Sequence, residues 1–274
     1  KFDAFILGSD QVWNPMLLGG DYYTLTWVDS RRPKVTYASS FGVSEIPASQ
    51  VKKTKEYLSR FNMISVREEQ GAEIVEKLTR KKAEVCCDPT VLTDRKRWDE
   101  LSGDCPFVSE KYIFCYFIGN NPSQREFAKK LAQKTGCKIL AVKHIDEYIK
   151  SDDDFGDIDY LEVGPKEFVN FIRYATYVCT DSFHGTIFSI MYNKNFFTFM
   201  RFSDSQKSSM NSRVKNILSI VGLSNRLFEN SITPEAALAY QVDWSDVNKR
   251  LNDFRKSSRE YFERAIICLK GTQE

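Results

Sequence analysis

Short apolar runs alternate with amphipathic stretches along this chain. Runs of about five to seven apolar residues read as buried strands, and apolar positions recurring at three- and four-residue spacing read as helices. In the first third, strands are predicted at about 2–7, 34–38, 62–66 and 83–87, with helices at about 47–60 and 68–80. In the second of these helices Ala72, Val75 and Leu78 fall on one face. The segment Leu101-Ser102-Gly103-Asp104-Cys105-Pro106 breaks the alternation and marks a domain boundary. The pattern restarts with strand Tyr112–Ile118, a helix at about 123–135, a strand at 138–142 and a helix at about 166–174. Strand Tyr177–Cys179, a helix from Thr186 to Tyr192 and strand Phe196–Phe199 complete it. Such alternation specifies βαβ units, hence an α/β fold with mostly parallel sheets.

The pattern therefore predicts two Rossmann-like domains, residues 1–105 and 106–240, followed by a helix over 241–274 that packs across them. In that tail Val247, Leu251, Phe254, Tyr261, Ala265 and Leu269 share a face opposite Arg, Lys and Glu, as in a packing helix without chemistry of its own. A length of 274 residues accommodates two domains of about 100–150 residues each. Net charge is only +2, so nothing general favours nucleic acid or an anionic membrane as partner. No apolar run approaches a membrane span and no signal peptide is visible. Seven scattered cysteines without a CxxC, and the absence of HxH or HExxH, argue for reduced core thiols in a cytoplasmic protein and against a zinc site.

Polar residues follow nearly every predicted strand: Gly8-Ser9-Asp10, Arg67, Asp88, Gly119-Asn120-Asn121, Lys143-His144, Asp181-Ser182-Phe183-His184 and Arg201. Ligands of open α/β sheets bind outside the carboxyl ends of strands, so two such sheets with facing loops would line an interdomain cleft, the default substrate site. The run Thr180–Thr186 is the most informative. Asp181 or Ser182 is placed to cap a helix, Gly185 permits close packing, and the helix start attracts an anion that His184 would face. The same residues equally suit an ordinary cap. Asp10 either closes a turn or accepts hydrogen bonds from a sugar hydroxyl, with Trp13 offering an apolar face. Arg67, before Glu68 and Glu69, is either an ion pair at a helix start or a two-pronged ligand for carboxylate or phosphate, since a lone cation there opposes the helix dipole. His144 reads as a surface histidine, and Ser208-Ser209-Met210-Asn211-Ser212-Arg213, near Arg201 and Lys207, as a solvated loop or a phosphate lip. Ser182 and His184 are too close in sequence to pair as nucleophile and base, and no Ser-His-Asp set, GxxxxGK[ST] or GxGxxG occurs. A nucleoside triphosphatase or standard dehydrogenase is thereby disfavoured.

Four motifs in order, Gly8-Ser9-Asp10-Gln11-Val12-Trp13-Asn14, Ser65-Val66-Arg67-Glu68, Cys87-Asp88-Pro89-Thr90 and Asp181-Ser182-Phe183-His184-Gly185-Thr186, resemble the polysaccharide pyruvyl transferase family. The resemblance implies a GT-B-like pair of Rossmann-like domains facing a cleft, phosphoenolpyruvate as donor and a pair of sugar hydroxyls as acceptor, with no metal or other cofactor. It implies that Arg67 and His184 hold the donor's anionic groups and that Asp10 serves the acceptor. Ser9, Asp88, Asn120, Asp181, Ser182, Gly185, Arg201 and Arg213 complete the expected binding set. The family's glycine- and asparagine-containing first loop is absent here, so the N-terminal domain is expected to be truncated. The expected activity is cytoplasmic transfer of a pyruvate ketal group to a bacterial capsule or exopolysaccharide glycan or its precursor, without a membrane span but compatible with peripheral access to a lipid-linked glycan. The alternatives are a nucleotide-sugar-dependent GT-B glycosyltransferase and a catalytically inactive glycan-binding module.

Overall fold

A computed structural model describes residues 2–18, 20–143, 148–160, 162–201, 211–228 and 231–271. The chain divides into two compact units, one of Lys1–Leu92, Phe202–Ile217 and Arg250–Glu274, the other of Thr93–Arg201 and Leu218–Lys249.

The first unit begins with β1 (Phe5–Leu7), β2 (Lys34–Thr36), α1 (Val51–Ser59), β3 (Ser65–Val66), α2 (Glu69–Thr79), β4 (Glu84–Val85) and the short α3 (Pro89–Leu92). β1 pairs with β2 and β3 with β4, all parallel, and the bridges Val35 to Met63 and Ser39 to Val66 join the two pairs. These strands are shorter than the apolar runs suggested. In β2 the cause is visible at Ala38, whose φ of 50° interrupts the extended backbone one residue after Tyr37. Trp13, Phe41, Tyr57 and Phe61 form an aromatic centre in this unit, with ring centroids 5.1, 5.8 and 5.7 Å from Trp13.

The second unit contains α4 (Arg95–Ser102), β5 (Tyr112–Tyr116), α5 (Pro122–Thr135), β6 (Lys138–Val142), β7 (Ile158–Tyr160), α6 (Pro165–Tyr174), β8 (Tyr177–Thr180), α7 (Phe183–Met191) and β9 (Asn195–Phe199). α8 (Ser212–Ile220) straddles the division, and β10 (Leu227–Phe228) and α9 (Pro234–Leu238) return to the second unit. Its six strands are all parallel in the order β10-β9-β8-β5-β6-β7. The chain moves outward from β5 through β6 to β7, then resumes at β8 on the opposite side of β5. The order therefore reverses between β5 and β8, where a doubly wound sheet opens its ligand crevice. Phe127, Phe197, Phe199, Ile113, Ile139 and Cys179 lie in the apolar layer that covers one face of this sheet. β7 and β10, of three and two residues, are too short to have shown a periodicity.

The unit boundary falls after Leu92 and not at the glycine-proline break near residue 105. That break is a loop tied to α6: the Asn170 amide donates to the carbonyls of Ser102 and Cys105 at 2.8 and 2.9 Å, and Arg173 donates to Gly103 O at 3.0 Å. The expected tail helix is α10 (Trp244–Gly271), and from Arg250 onward it belongs to the first unit, where Tyr261, Ala265 and Leu269 pack with Val35, Tyr37 and Cys86. Cys86, Cys87, Cys115, Cys137 and Cys179 are buried free thiols. Among the described residues no helix is long and apolar enough to cross a membrane.

Candidate active site

In the second unit the loops after β5, β8 and β9 meet at the switch point. Asp181 builds this junction. Its carboxylate accepts the backbone N–H groups of Ile118 at 2.7 Å and Gly119 at 2.9 Å, fastening the loop after β5 to the loop after β8. Arg201 donates to the Asp181 carbonyl at 3.1 Å and holds its guanidinium 3.8 Å from the carboxylate. With no side-chain exposure and both oxygens on backbone donors, Asp181 shapes the loop and does not present itself to a substrate. Glycine is required at 119, because a Cβ there would lie 2.8 Å from the Asp181 carboxylate and 2.9 Å from Arg201 Cγ.

α7 starts at once after this junction. Ser182, extended at φ −87° and ψ 137°, accepts the Gly185 N–H at 3.3 Å through Oγ, the ordinary N-cap arrangement. Gly185 lets α7 approach β8, since a Cβ would meet Thr180 Oγ1 at 2.6 Å. Ser182 and Gly185 are both buried and work on the fold. His184 differs from its neighbours. It is half-buried in a helix whose residues Phe183 and Gly185–Met191 are all buried, and its ring stands edge-on to Phe183 at 5.4 Å. His184, the exposed Asn120 and the partly exposed Arg201 are thus the members of the expected set that this end of the sheet offers to a ligand. The helix start adds partial positive charge suited to phosphate or carboxylate.

The first unit gathers Ser9, Asp10, Arg67, Asp88 and Arg213. Arg67, 2% exposed at its side chain, donates from one terminal nitrogen to Asp88 at 2.7 Å and from the other to Asp10 at 3.1 Å. The helix-start cation therefore has its anion within the chain, and its two prongs are spent on two carboxylates. Asp88 is itself buried, receiving Ser9 Oγ at 3.1 Å and, on its other oxygen, the backbone N–H and hydroxyl of Thr90 at 3.0 and 2.8 Å. Asp10 is the exposed member, 63% open at its side chain, held at φ 80° and flanked by Arg213 at 3.9 Å. Aspartate tolerates that left-handed backbone better than most residues. Trp13 offers no face to a sugar: it is fully buried and its indole N–H donates to Tyr23 O at 3.2 Å.

The segment Ala38-Ser39-Ser40-Phe41-Gly42, entirely buried, was not singled out in the sequence although it follows a predicted strand. Small and hydroxyl residues at a strand end were the available signal. Glu68 organises it, accepting Ser40 Oγ at 2.9 Å and the N–H groups of Phe41 and Gly42 at 3.1 and 3.3 Å. Burial pushes the Glu68 carboxyl above the usual carboxylate range, and neighbouring Arg67 opposes that rise. His144, Lys207 and Ser208–Met210 lie outside the described residues. Among the described residues no group of three or more His, Cys, Asp or Glu side chains is placed to hold a metal ion.

Comparison with known proteins bears on both clusters. The family model for polysaccharide pyruvyl transferase matches residues 1–201. No curated protein matches the chain in sequence. Among solved structures the chain is similar to a protein described as a UDP-N-acetylglucosamine 2-epimerase from Listeria monocytogenes, at 10% identity and a TM-score of 0.52, over 92% of this chain and 68% of that one. It is also similar to S. aureus MnaA in a co-structure with UDP, at 12% identity and a TM-score of 0.51, over 97% and 69% of the two chains. At these identities the likeness concerns the fold, which is GT-B-like with mixed α/β units and parallel sheets. The matched 201 residues carry all four motifs and most of the loop clusters built above, and this chain belongs to the polysaccharide pyruvyl transferase family, a family of transferases.

Proposed function

We propose that this chain moves a pyruvate ketal group from phosphoenolpyruvate to a sugar of a cell-surface polysaccharide or its precursor, in the cytoplasm. The observation that carries this reading is the half-buried His184 at the start of α7, set beside the β5–β8 switch point in a chain of this family. An enolpyruvyl phosphate is a compact dianion or trianion, and a helix start with an imidazole and Arg201 nearby suits such a group. The chemistry needs no redox partner. Protonation of C3 of the enolpyruvyl group makes C2 electrophilic, a sugar hydroxyl adds to C2, phosphate leaves with the C2–O bond pair, and a second hydroxyl closes the ketal. The two hydroxyl protons balance the one gained at C3 and the one carried off by phosphate. In this scheme His184 binds the phosphate and supplies a proton, while Asp10 accepts a hydrogen bond from an acceptor hydroxyl. Arg67 has the different task of holding Asp10 and Asp88.

A thermal-shift comparison of phosphoenolpyruvate with nucleoside diphosphate sugars tests the donor. A ligand at about 100 times its Kd adds about 2.7 kcal/mol of stability. A saturable rise with phosphoenolpyruvate alone is expected. A rise with a nucleotide sugar alone would replace this reading with a glycosyltransferase, and acceptor binding without any donor response would make the chain a glycan-binding module.

A further inference from the structure

The loop after β5 carries Asn120, the one exposed residue of the expected set in the second unit. Its N–H groups at 118 and 119 are held by Asp181. Its carbonyls are held by a residue that neither the motifs nor the scheme above uses. Arg125, 3% exposed in the first turn of α5, donates from one terminal nitrogen to Gly119 O at 2.9 Å and Asn121 O at 3.2 Å, the two carbonyls that bracket Asn120. Its Nε and other terminal nitrogen form a fork on Asp152, at 2.5 and 3.1 Å, and its guanidinium lies 5.2 Å from the Phe117 ring centroid. A cation in the first turn of a helix works against the helix dipole. Buried there, it needs compensation of this quality to be retained.

We infer that Arg125 is a positioning residue for the donor end of the site: with Asp152 it fixes the backbone on both sides of Asn120 and so sets the switch-point loop in its ligand-ready shape. The pair also ties that loop to the Lys150–Asp152 turn. Asn120 and Pro122 on one side and Tyr148–Ser151 on the other border a concavity of about 490 Å³, so the arginine stands behind both of its walls. Only a planar fork with donors on two edges can bridge two carbonyls and a carboxylate at once, so lysine is no substitute.

The inference rests on phosphoenolpyruvate being the donor, and its test separates the two claims. Wild type, Arg125→Lys and Asp152→Asn are compared in three ways: melting temperature, backbone hydrogen exchange over residues 117–124, and KM and kcat for phosphoenolpyruvate. Both variants should stay folded, exchange faster at 118–121 than wild type while the remaining sheet keeps its protection, and raise the donor KM by about tenfold or more with kcat much less changed. A wild type inert toward phosphoenolpyruvate would count against the proposed donor, and loop exchange would still decide the role of Arg125. Unchanged exchange at 118–121, or protection lost evenly across the second unit with donor KM intact, would overturn the inference and leave Arg125 as an ordinary buried ion pair.

Discussion

Arg67 shows what a residue can and cannot disclose from its place in a sequence. Its position at a strand end before a helix marks a cation that needs an anion, without saying whether the anion is a ligand or a side chain. The anions turned out to be Asp88, 21 positions away, and Asp10, 57 positions away, distances at which no spacing rule operates. The same holds for Asp181, whose partners Ile118 and Gly119 lie 63 and 62 residues upstream. Caps were legible, since Ser182 reaches only three residues along its own helix. Which polar residues bind a substrate and which hold the backbone depends on these distant partners. For Arg67 the consequence is testable. Arg67→Met leaves Asp88 buried without its countercharge and should cost about 3–5 kcal/mol in chemical denaturation. Arg67→Lys keeps the charge, but one ammonium cannot span both carboxylates, so the acceptor KM should rise more than the donor KM. A rise confined to the donor KM would mean that Arg67 contacts the donor after all.

At the level of elements, β6 appears where its apolar run placed it, and α2, α5 and α6 begin and end within a residue or so of theirs. The run at 34–38 overstated β2 because Ala38 turns the chain into left-handed backbone before the run ends, a feature that hydropathy does not encode. The β8–α7 junction is where local chemistry and packing coincide most closely. Thr180 Oγ1 donates to Tyr116 O at 2.7 Å, accepts the Ser182 N–H at 3.0 Å and leaves no room for a side chain at 185. Gly185→Ala should therefore displace the start of α7 and destabilise the protein by about 1–3 kcal/mol, with turnover falling further than stability because His184 is the preceding residue. An unchanged melting temperature and unchanged turnover would show that the helix has slack there. Alanine at Gly136 is not the control to choose, since that glycine sits at φ 68° and would strain for a different reason.

For the whole molecule, α/β class, parallel sheets and two units followed from the alternation of runs, but the division between them did not. Residues 211–217 and 250–271 belong to the first unit although the chain has by then built most of the second. A boundary inferred from composition assumes that each domain is continuous, whereas Gly103 and Pro106, linker-like in composition, belong to a loop that α6 holds. The family assignment survives this, because the motifs sit on loops whose local frames are intact in each unit. What the assignment leaves to chemistry is the role of His184, the centre of this account. The direct measurement is phosphate release from phosphoenolpyruvate together with mass-spectrometric detection of the pyruvylated glycan, in wild type, His184→Ala and His184→Gln. Product is expected in wild type and turnover lower by about 10²–10⁴-fold in the alanine variant, with the fold intact by circular dichroism because a half-buried residue beside a cap supplied by Ser182 leaves little cavity. Near-normal donor binding with lost turnover in His184→Gln marks proton transfer, whereas equal loss of both marks a ligand role alone. Wild-type turnover in a folded His184→Ala protein would contradict the account at its centre.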